Sequence, residues 1–211
     1  MFTGIVEEIG RVKDVERREG ATRLRVECEK ALESTGISDS VAINGVCLTV
    51  IELGEGWFAT EAVPETLRRT NLGHLAPGSP VNLERPVGNE RLMGGHYVQG
   101  HVDATGRVVS VEDDGEARNY RFEVPADLMR YIVPKGYVAV DGTSLTVVDV
   151  TDNTFSVTLI PHTQEMVVLG RQGAGYEVNL EVDVLGKYVE RIFAERLTSL
   201  EERLARLESR G

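Results

Sequence analysis

Apolar and charged residues alternate along much of the chain, as in RLRVECE from Arg23 and RNYRFEV from Arg118. A period of two is typical of half-buried antiparallel strands, because successive side chains of a strand point to opposite faces. Four dipeptides between such runs are typical of hairpin turns: Glu19-Gly20, Asn44-Gly45, Asp114-Gly115 and Asp141-Gly142. The pattern therefore predicts an all-β fold built from short strands.

The whole pattern occurs twice. A shift of 96 residues, from Met1 to Tyr97, aligns MFTGIVEEIGRV with YVQGHVDATGRV. A shift of 97 residues, from Val41 to Val138, aligns VAINGVCLTV with VAVDGTSLTV. Colinear matches of this kind indicate an internal duplication. Each repeat is expected to form a small closed or nearly closed barrel, because closure removes exposed strand edges. A flatter β-sandwich is the alternative.

The period changes after Gly186. A helical stripe is formed there by Val189, Phe193, Leu197, Leu200, Leu204 and Leu207. This helix packs either on its own barrels or against copies from other subunits, and the sequence leaves both possibilities open. We therefore predict a first barrel over residues 1–96, a second barrel over residues 97–185 and a helix over residues 186–211.

Charge and cysteine content narrow the function classes. With 23 basic and 34 acidic residues the formal charge is −11, which argues against nucleic acid or an anionic membrane as partner. Cys28 and Cys47 form no CxxC pattern, and His96 and His101 point to opposite faces of an extended stretch, so no metal site is expected. The first residues lack the features of a secretory signal, and a cytoplasmic location is expected.

The two repeats differ at a few polar positions, which are candidates for divided roles. From the first repeat to the second, Ile5 becomes His101, Ser38 becomes Lys135, Cys47 becomes Ser144 and Pro86 becomes Asp183. The second repeat thus gains groups that could transfer a proton. Structural alternatives exist for each: a backbone-bonded His101, Cys47 as a core residue and Asp183 as a helix cap. Ser144 and Thr146 also suit an ordinary strand, and Lys135 a turn.

Taken in order, the motifs MFTGIVEEIG, NGVCLTV, PETLRRTNLG, GGHYVQGHVD, DGTSLTV and VNLEVD resemble those of the riboflavin synthases of the alpha-chain type. The resemblance implies two six-stranded Greek-key barrels and a carboxy-terminal helix, in a homotrimer held partly by that helix, so residues 186–211 are expected to be an oligomerisation helix. It also implies a cofactor-independent and metal-independent transferase that dismutates two molecules of 6,7-dimethyl-8-ribityllumazine to riboflavin and 5-amino-6-(ribitylamino)uracil. Catalysis would then occur between the first barrel of one subunit and the second barrel of a neighbour.

The resemblance also implies site residues. A first pocket would contain Gly4, Ile5, Val6, Cys47, Leu48, Thr49, Ala62, Val63, Pro64, Glu65, Thr66 and Leu67. A second pocket would contain Gly100, His101, Val102, Lys135, Ser144, Leu145, Thr146, Ile160, Pro161, His162, Thr163, Gln164 and Glu165. The positions matched to catalysis are Phe2, Ser40, Cys47, His101, Ser144, Thr146 and Asp183. We expect His101, Ser144 and Thr146 to handle the proton and position the nucleophile, with Cys47 and Phe2 shaping the facing pocket.

One departure and two alternatives accompany the resemblance. Val167 and Val168 stand where the family more often has two threonines. A non-catalytic lumazine or flavin carrier of the same family is the first alternative, although such relatives tend to lose the polar residues that this second repeat retains. A flavin-dependent reductase is the other alternative, and it would need a pyridine-nucleotide domain where only a short helix follows.

Overall fold

The computed structural model describes residues 1–88, 92–194 and 196, and it contains two closed β-barrels. The first barrel comprises β1 (Glu8–Arg18), β2 (Ala21–Glu27), β3 (Ser40–Ile43), β4 (Val46–Gly54), β5 (Trp57–Ala62) and β6 (Pro80–Glu84). The second comprises β7 (Ala104–Asp114), β8 (Ala117–Glu123), β9 (Tyr137–Val140), β10 (Thr143–Val150), β11 (Thr154–Leu159) and β12 (Glu177–Val182). The duplication read from the sequence is therefore a duplication of one barrel.

Both barrels have the same antiparallel Greek-key topology. In the first, β3, β4 and β5 are consecutive neighbours, and β6 returns to pair with β3 and β1. In the second, β9, β10, β11 and β12 repeat this arrangement. A fourth strand that returns beside the first of three hairpin strands defines a Greek key. The all-β prediction and the closed barrel are confirmed.

Short helices and turns connect the strands. The helix α1 (Pro64–Arg69) follows β5, and α2 (Pro161–Met166) follows β11, each with proline at its start. Single turns of 3-10 helix lie at Lys30–Leu32, Asn71–His74, Met129–Tyr131 and Val168–Arg171. The predicted turns at Asn44-Gly45 and Asp141-Gly142 have positive φ at both residues, as a type I′ hairpin requires.

The hydrophobic alternation fills the two barrels. Phe58 lies in the first core, and Tyr120, Phe122 and Phe155 lie in the second, all fully buried. On β4, Val46, Leu48 and Val50 point inward, while the residues between them face outward. On β10, Leu145 and Val147 point inward, and Ser144 and Thr146 alternate with them. A one-residue slip would reverse both faces, so the buried core fixes which polar side chains the barrels present to the outside.

The two barrels meet at a buried polar cluster made of Asn44, Asn71, Asn82, Asp141 and Asn179. The Asp141 carboxylate accepts hydrogen bonds from Asn71 Nδ2 at 2.9 Å and from the Asn179 backbone at 2.8 Å. Asn82 and Asn179 are equivalent in the two repeats, and each donates to the other barrel's turn, at the carbonyls of Asp141 and Asn44. The barrels are thus related by an approximate two-fold arrangement of reciprocal bonds.

Residues 184–194 are helical. The Asp183 carboxylate accepts a hydrogen bond from the Leu185 backbone at 3.0 Å, as a cap does. Glu190 holds the helix to the second barrel through Arg130, at 2.7 Å, and the Tyr131 hydroxyl. Val189 and Phe193 of the predicted stripe are exposed, whereas Leu197, Leu200, Leu204 and Leu207 lie outside the described residues. No helix in the described ranges has the length and hydropathy needed to cross a membrane.

Candidate functional site

Each barrel presents a small polar face formed by a pair of neighbouring strands. On the first barrel Cys47 and Thr49 project outward from β4, and Ser40 of β3 lies opposite Thr49. On the second barrel Ser144 and Thr146 occupy the same positions on β10, and Tyr137 of β9 lies opposite Thr146. We call these the first face (Ser40, Cys47, Thr49) and the second face (Tyr137, Ser144, Thr146).

Two buried glutamates anchor the segments that precede each barrel. The Glu84 carboxylate accepts hydrogen bonds from the Thr3 backbone and hydroxyl at 2.8 Å and from the Gly4 backbone at 3.1 Å. The equivalent Glu181 accepts from the backbones of Gln99, Gly100 and His101 at 2.7 to 3.0 Å. Burial raises the pKa of Glu181 to about 7, although these hydrogen bonds and the charge of Lys187 act to lower it.

The anchored segments lie on the opposite barrels. The Ser144 backbone donates to the Gly4 carbonyl at 2.7 Å, and the Cys47 backbone donates to the Gly100 carbonyl at 2.9 Å. Gly4 and Gly100 have φ of +75° and +81°, and a Cβ on either would lie 2.5 Å from the Cβ of Ser144 or Cys47. Only glycine allows this approach.

This exchange corrects the predicted grouping of residues. Gly4, Ile5 and Val6 belong with the second face, and Gly100, His101 and Val102 belong with the first. Val6 packs in the second core, and Val102 packs against the first. A repeat in the sequence shows which residues are equivalent. It does not show whether a residue contacts its own barrel or the other one, because both arrangements give the same sequence pattern. Within one chain the segment that carries His101 therefore lies on the first barrel rather than with Ser144 and Thr146, and the role of the His101 side chain stays a prediction.

The histidine that does meet Ser144 is His96. Its Nδ1 lies 2.7 Å from the Ser144 Oγ, and its ring stacks on Tyr137 with centroids 5.3 Å apart and planes inclined by 8°. The side chain is 6% exposed, and its Nε2 has no hydrogen-bond partner among the described residues. Burial lowers the pKa of His96, opposed by the nearby Asp183. A neutral imidazole in contact with a hydroxyl is suited to accept a proton.

From the sequence, His96 was considered only as a metal ligand, and its contact with Ser144 was not predicted. His96 precedes the part of the second repeat that aligns with the first, so comparison of the repeats could not reveal it. Its position in GGHYVQGHVD, beside two glycines that allow close packing, was the available signal. A Cβ on Gly95 would lie 2.8 Å from the Ser144 Oγ, which shows how closely the segment approaches β10.

Several predicted residues are structural rather than exposed to a ligand. Phe2 is fully buried between the barrels, where it pairs with Val98 and contacts the cluster that includes the half-buried Cys47. Phe2 is therefore part of the buried contact between the barrels and does not line an open pocket. The side chains of Leu48, Leu145, Val6 and Ala62 also point into cores, so only their backbone groups are candidates for ligand contact.

The remaining predicted residues lie mostly at the surface. Lys135 is exposed in a turn with φ of +66°, and its backbone donates to the Val147 carbonyl. Exposed or half-buried positions on and before the short helices are Val63, Pro64, Glu65, Thr66, Leu67, Ile160, Pro161, His162, Thr163, Gln164 and Glu165. Glu65 pairs with Arg68 and Arg69, and Gln164 donates to the Glu116 and Leu159 carbonyls. Among the described residues, none of these contacts joins a helix to a face.

The departure at Val167 and Val168 has a structural explanation. Val167 is buried in the second core, and the Val168 backbone donates to Asn82 Oδ1 in the contact between the barrels. Both residues therefore serve packing. A separate cavity of about 320 Å³ lies beside the second face. It is lined by Tyr137 and Asp183 and by Val189 and Glu190 of the carboxy-terminal helix.

The chain was compared with known proteins. The lumazine binding domain family matches it twice, over residues 3–86 and 99–183. The riboflavin synthase of Schizosaccharomyces pombe is 46% identical over 195 residues, covering 91% of this chain and 93% of that protein. The riboflavin synthase of Mycobacterium bovis is 48% identical over 196 residues, covering 91% and 98%.

Solved structures share the fold. A crystal structure of LumP complexed with riboflavin has a TM-score of 0.80 and 22% identity, and covers 86% of this chain and 99% of that chain. A LumP complex with 6,7-dimethyl-8-(1'-D-ribityl) lumazine has a TM-score of 0.78 at the same identity. With two matched domains and nearly full-length similarity to enzymes, the chain belongs to the lumazine binding domain family and, within it, to the riboflavin synthases.

Proposed function

We propose that this enzyme dismutates two molecules of 6,7-dimethyl-8-ribityllumazine into riboflavin and 5-amino-6-(ribitylamino)uracil. The observation that carries the proposal is the duplication of the polar face, because a reaction between two identical substrates needs two similar binding surfaces. A four-carbon unit moves from one substrate to the other. The two products together contain every atom of the two substrates, so no cofactor or external oxidant is required.

The second face supplies the proton-handling groups in this proposal. His96 acts through Ser144: the Ser144 hydroxyl gives its proton to His96 Nδ1, 2.7 Å away, and takes one from the methyl group at carbon 7 of a bound lumazine. Thr49 and Thr146 hydrogen-bond the pyrimidine edges of the two rings. Cys47, Ser40 and His101 contact the substrate on the first face, while Lys135 and Asp183 contribute charge beside the second. Holding the rings together supplies a proximity effect of several kcal/mol.

The ribityl chains are assigned to the helix regions. Residues 62–67 lead into and begin α1, and residues 160–165 lead into and form most of α2. Their hydroxyl, imidazole and carboxylate groups can bind a polyol. The equivalent Val63 and Ile160 are exposed apolar residues in both repeats, which suits contact with the flat ring system next to its polar tail.

The assembly in this proposal is a cytoplasmic homotrimer. Leu185, Tyr188, Val189, Ile192 and Phe193 are exposed and recur at helical spacing along residues 184–194. An exposed apolar stripe of this kind supports packing between subunits. It would bring the first face of one subunit, in the domain of residues 1–96, against the second face of a neighbour, in the domain of residues 97–185.

The experiment is incubation of the purified protein with the lumazine alone. We expect one molecule of riboflavin and one of the pyrimidine for every two lumazine molecules consumed. The carrier alternative, supported by the LumP fold likeness, predicts a bound and unchanged fluorescent lumazine. Failure to form riboflavin while the lumazine binds would overturn the enzymatic proposal in favour of the carrier.

A further inference from the structure

Tyr137 has an unusual position on the second face. It lies on β9 opposite Thr146, and one side of its ring covers the His96 imidazole in a nearly parallel stack. The side chain is 45% exposed, although the imidazole beneath it is almost completely buried. Tyr137 therefore forms the outer wall of the space that holds the histidine.

The first face lacks this wall. Ser40 is the residue equivalent to Tyr137, at the same register opposite Thr49, and a serine cannot stack on a ring. The first face also has Cys47 in place of Ser144. The aromatic ring thus occurs only on the one of these two faces where an imidazole contacts a hydroxyl. Its position therefore goes with the histidine and not with the shared architecture of the two barrels.

The histidine needs such support because of where it lies in the chain. His96 follows Gly94 and Gly95 in the segment between the barrels and is not part of a named strand. Its backbone donates to the Thr3 carbonyl at 3.1 Å, and its ring has the Ser144 contact at Nδ1. A single hydrogen bond at Nδ1 tolerates a range of tilts of the ring plane, whereas a nearly parallel neighbour with centroids 5.3 Å away limits that tilt.

We propose that Tyr137 is a positioning residue for this reaction: its ring fixes the plane of the His96 imidazole and shields it from water, so that Nδ1 stays directed at Ser144. The inference rests on the proposed function of the second face. Burial lowers the pKa of the His96 imidazole, and the charge of Asp183, which follows β12, raises it. Loss of the Tyr137 ring reduces that burial, so the pKa of His96 should rise.

The test compares three variants of the full-length protein. Tyr137→Ser introduces the residue that the first barrel carries at this position, Tyr137→Phe keeps the ring, and Tyr97→Ser removes a tyrosine of similar exposure, 50%, next to His96 in sequence. The measurements are kcat and KM for the lumazine across pH, and the titration of His96 by NMR with labelled histidine. The four histidines are few enough to assign with His96→Gln.

Tyr137→Ser should lower kcat by about tenfold or more, as expected for a misoriented catalytic group, with a much smaller change in KM. His96 should titrate at higher pH than in the wild type, and the acid limb of the kcat profile should move the same way. Tyr137→Phe and Tyr97→Ser should resemble the wild type.

Three results would overturn the proposal. In the first, Tyr137→Ser retains wild-type kcat and an unchanged His96 titration. In the second, it raises KM alone with that titration unchanged, which makes the ring a substrate contact. In the third, Tyr137→Phe loses as much activity as Tyr137→Ser, which makes the hydroxyl the important group. If the wild type forms no riboflavin, the proposed function fails, and the His96 titration still tests the positioning separately.

Discussion

At the scale of single residues, the chemistry of the second face depends on one imidazole. His96 is buried, lies 2.7 Å from the Ser144 hydroxyl and has a lowered pKa. We predict that His96→Gln lowers kcat by about 10² to 10⁴, the usual range for loss of a general acid or base. The lumazine affinity should change little, because the ring is covered by Tyr137. Steady-state kinetics and equilibrium binding measure the two effects.

The control for this variant is His74→Gln, because the His74 side chain is highly exposed and its Nε2 lies 3.3 Å from Glu177, which belongs to neither face. It should leave both quantities unchanged. Parallel losses of turnover and affinity in His96→Gln would make the residue a binding contact only.

A second prediction at this scale concerns the close approach at Gly100. Gly100→Ala introduces a Cβ 2.5 Å from that of Cys47 at a φ of +81°, whereas Gly78→Ala introduces one at +90° with no atom within 4 Å. Positive φ alone costs roughly 1 kcal/mol, and overpacking adds about 1 to 3 kcal/mol. Denaturant unfolding should therefore show a larger loss of stability for Gly100→Ala, and equal losses would contradict the close contact.

The residue scale is also where sequence reasoning was least complete. Comparison of the repeats identified Ser144, Cys47 and Asp183 as positions that differ, but it could not show His96, which has no aligned partner. It also could not show that Phe2 is buried between the barrels. A motif residue that packs beneath a binding site and one that contacts the ligand look the same in the sequence.

At the scale of elements, hydrophobic alternation predicted the strands and turns well, because half-buried strands have one apolar and one polar face. The short helices α1 and α2 were not predicted as helices. Six residues are too few for a helical period to appear, and the prolines Pro64 and Pro161 at their starts were the only strong signal.

The element that most directly tests the proposed assembly is the helix of residues 184–194. Phe193 is 61% exposed within the apolar stripe. Phe193→Glu places a charge there, and burying an unpaired charge between subunits is unfavourable. We expect the mass in solution, measured by light scattering, to shift from trimer towards monomer.

Ile37→Glu provides the matched control, since Ile37 is 64% exposed on the first barrel and outside this helix. It should retain the assembly. A Phe193→Glu protein with the mass of the wild-type assembly would contradict a role for this part of the helix.

At the scale of the whole molecule, the barrels are joined through a buried carboxyl group. Burial raises the pKa of Asp141 to about 7, so the folded state binds a proton that the unfolded state releases near pH 4. The stability from this proton is complete below about pH 4 and is lost as pH rises through 7. Asp141→Asn cannot ionise, and its stability relative to the wild type should increase from pH 5 to pH 8.

The expected change is on the order of 1 kcal/mol for each unit of pKa shift that is relieved, measured by denaturant unfolding at both pH values. Glu181 also has a raised pKa, but it is present in both proteins and cancels in the comparison. The exposed Asp152→Asn should follow the wild type. Parallel stability profiles for Asp141→Asn and the wild type would show that Asp141 is not the linked group.

The duplication was evident at this scale from the sequence, and the exchange of segments was not. Gly4 contacts Ser144 and Gly100 contacts Cys47, so each barrel completes the face of the other. Contact partners across an approximate two-fold depend on the packing of the barrels, which a repeat within one sequence does not encode.

The central claim is that two equivalent faces serve one reaction between identical substrates. Thr49 and Thr146 are exposed, equivalent and outside the cores, so Thr49→Trp and Thr146→Trp each obstruct one face of an otherwise folded protein. We predict that each variant loses about 100-fold or more in riboflavin formation from lumazine. Wild-type turnover in either variant, with its fold intact by circular dichroism, would contradict the requirement for both faces.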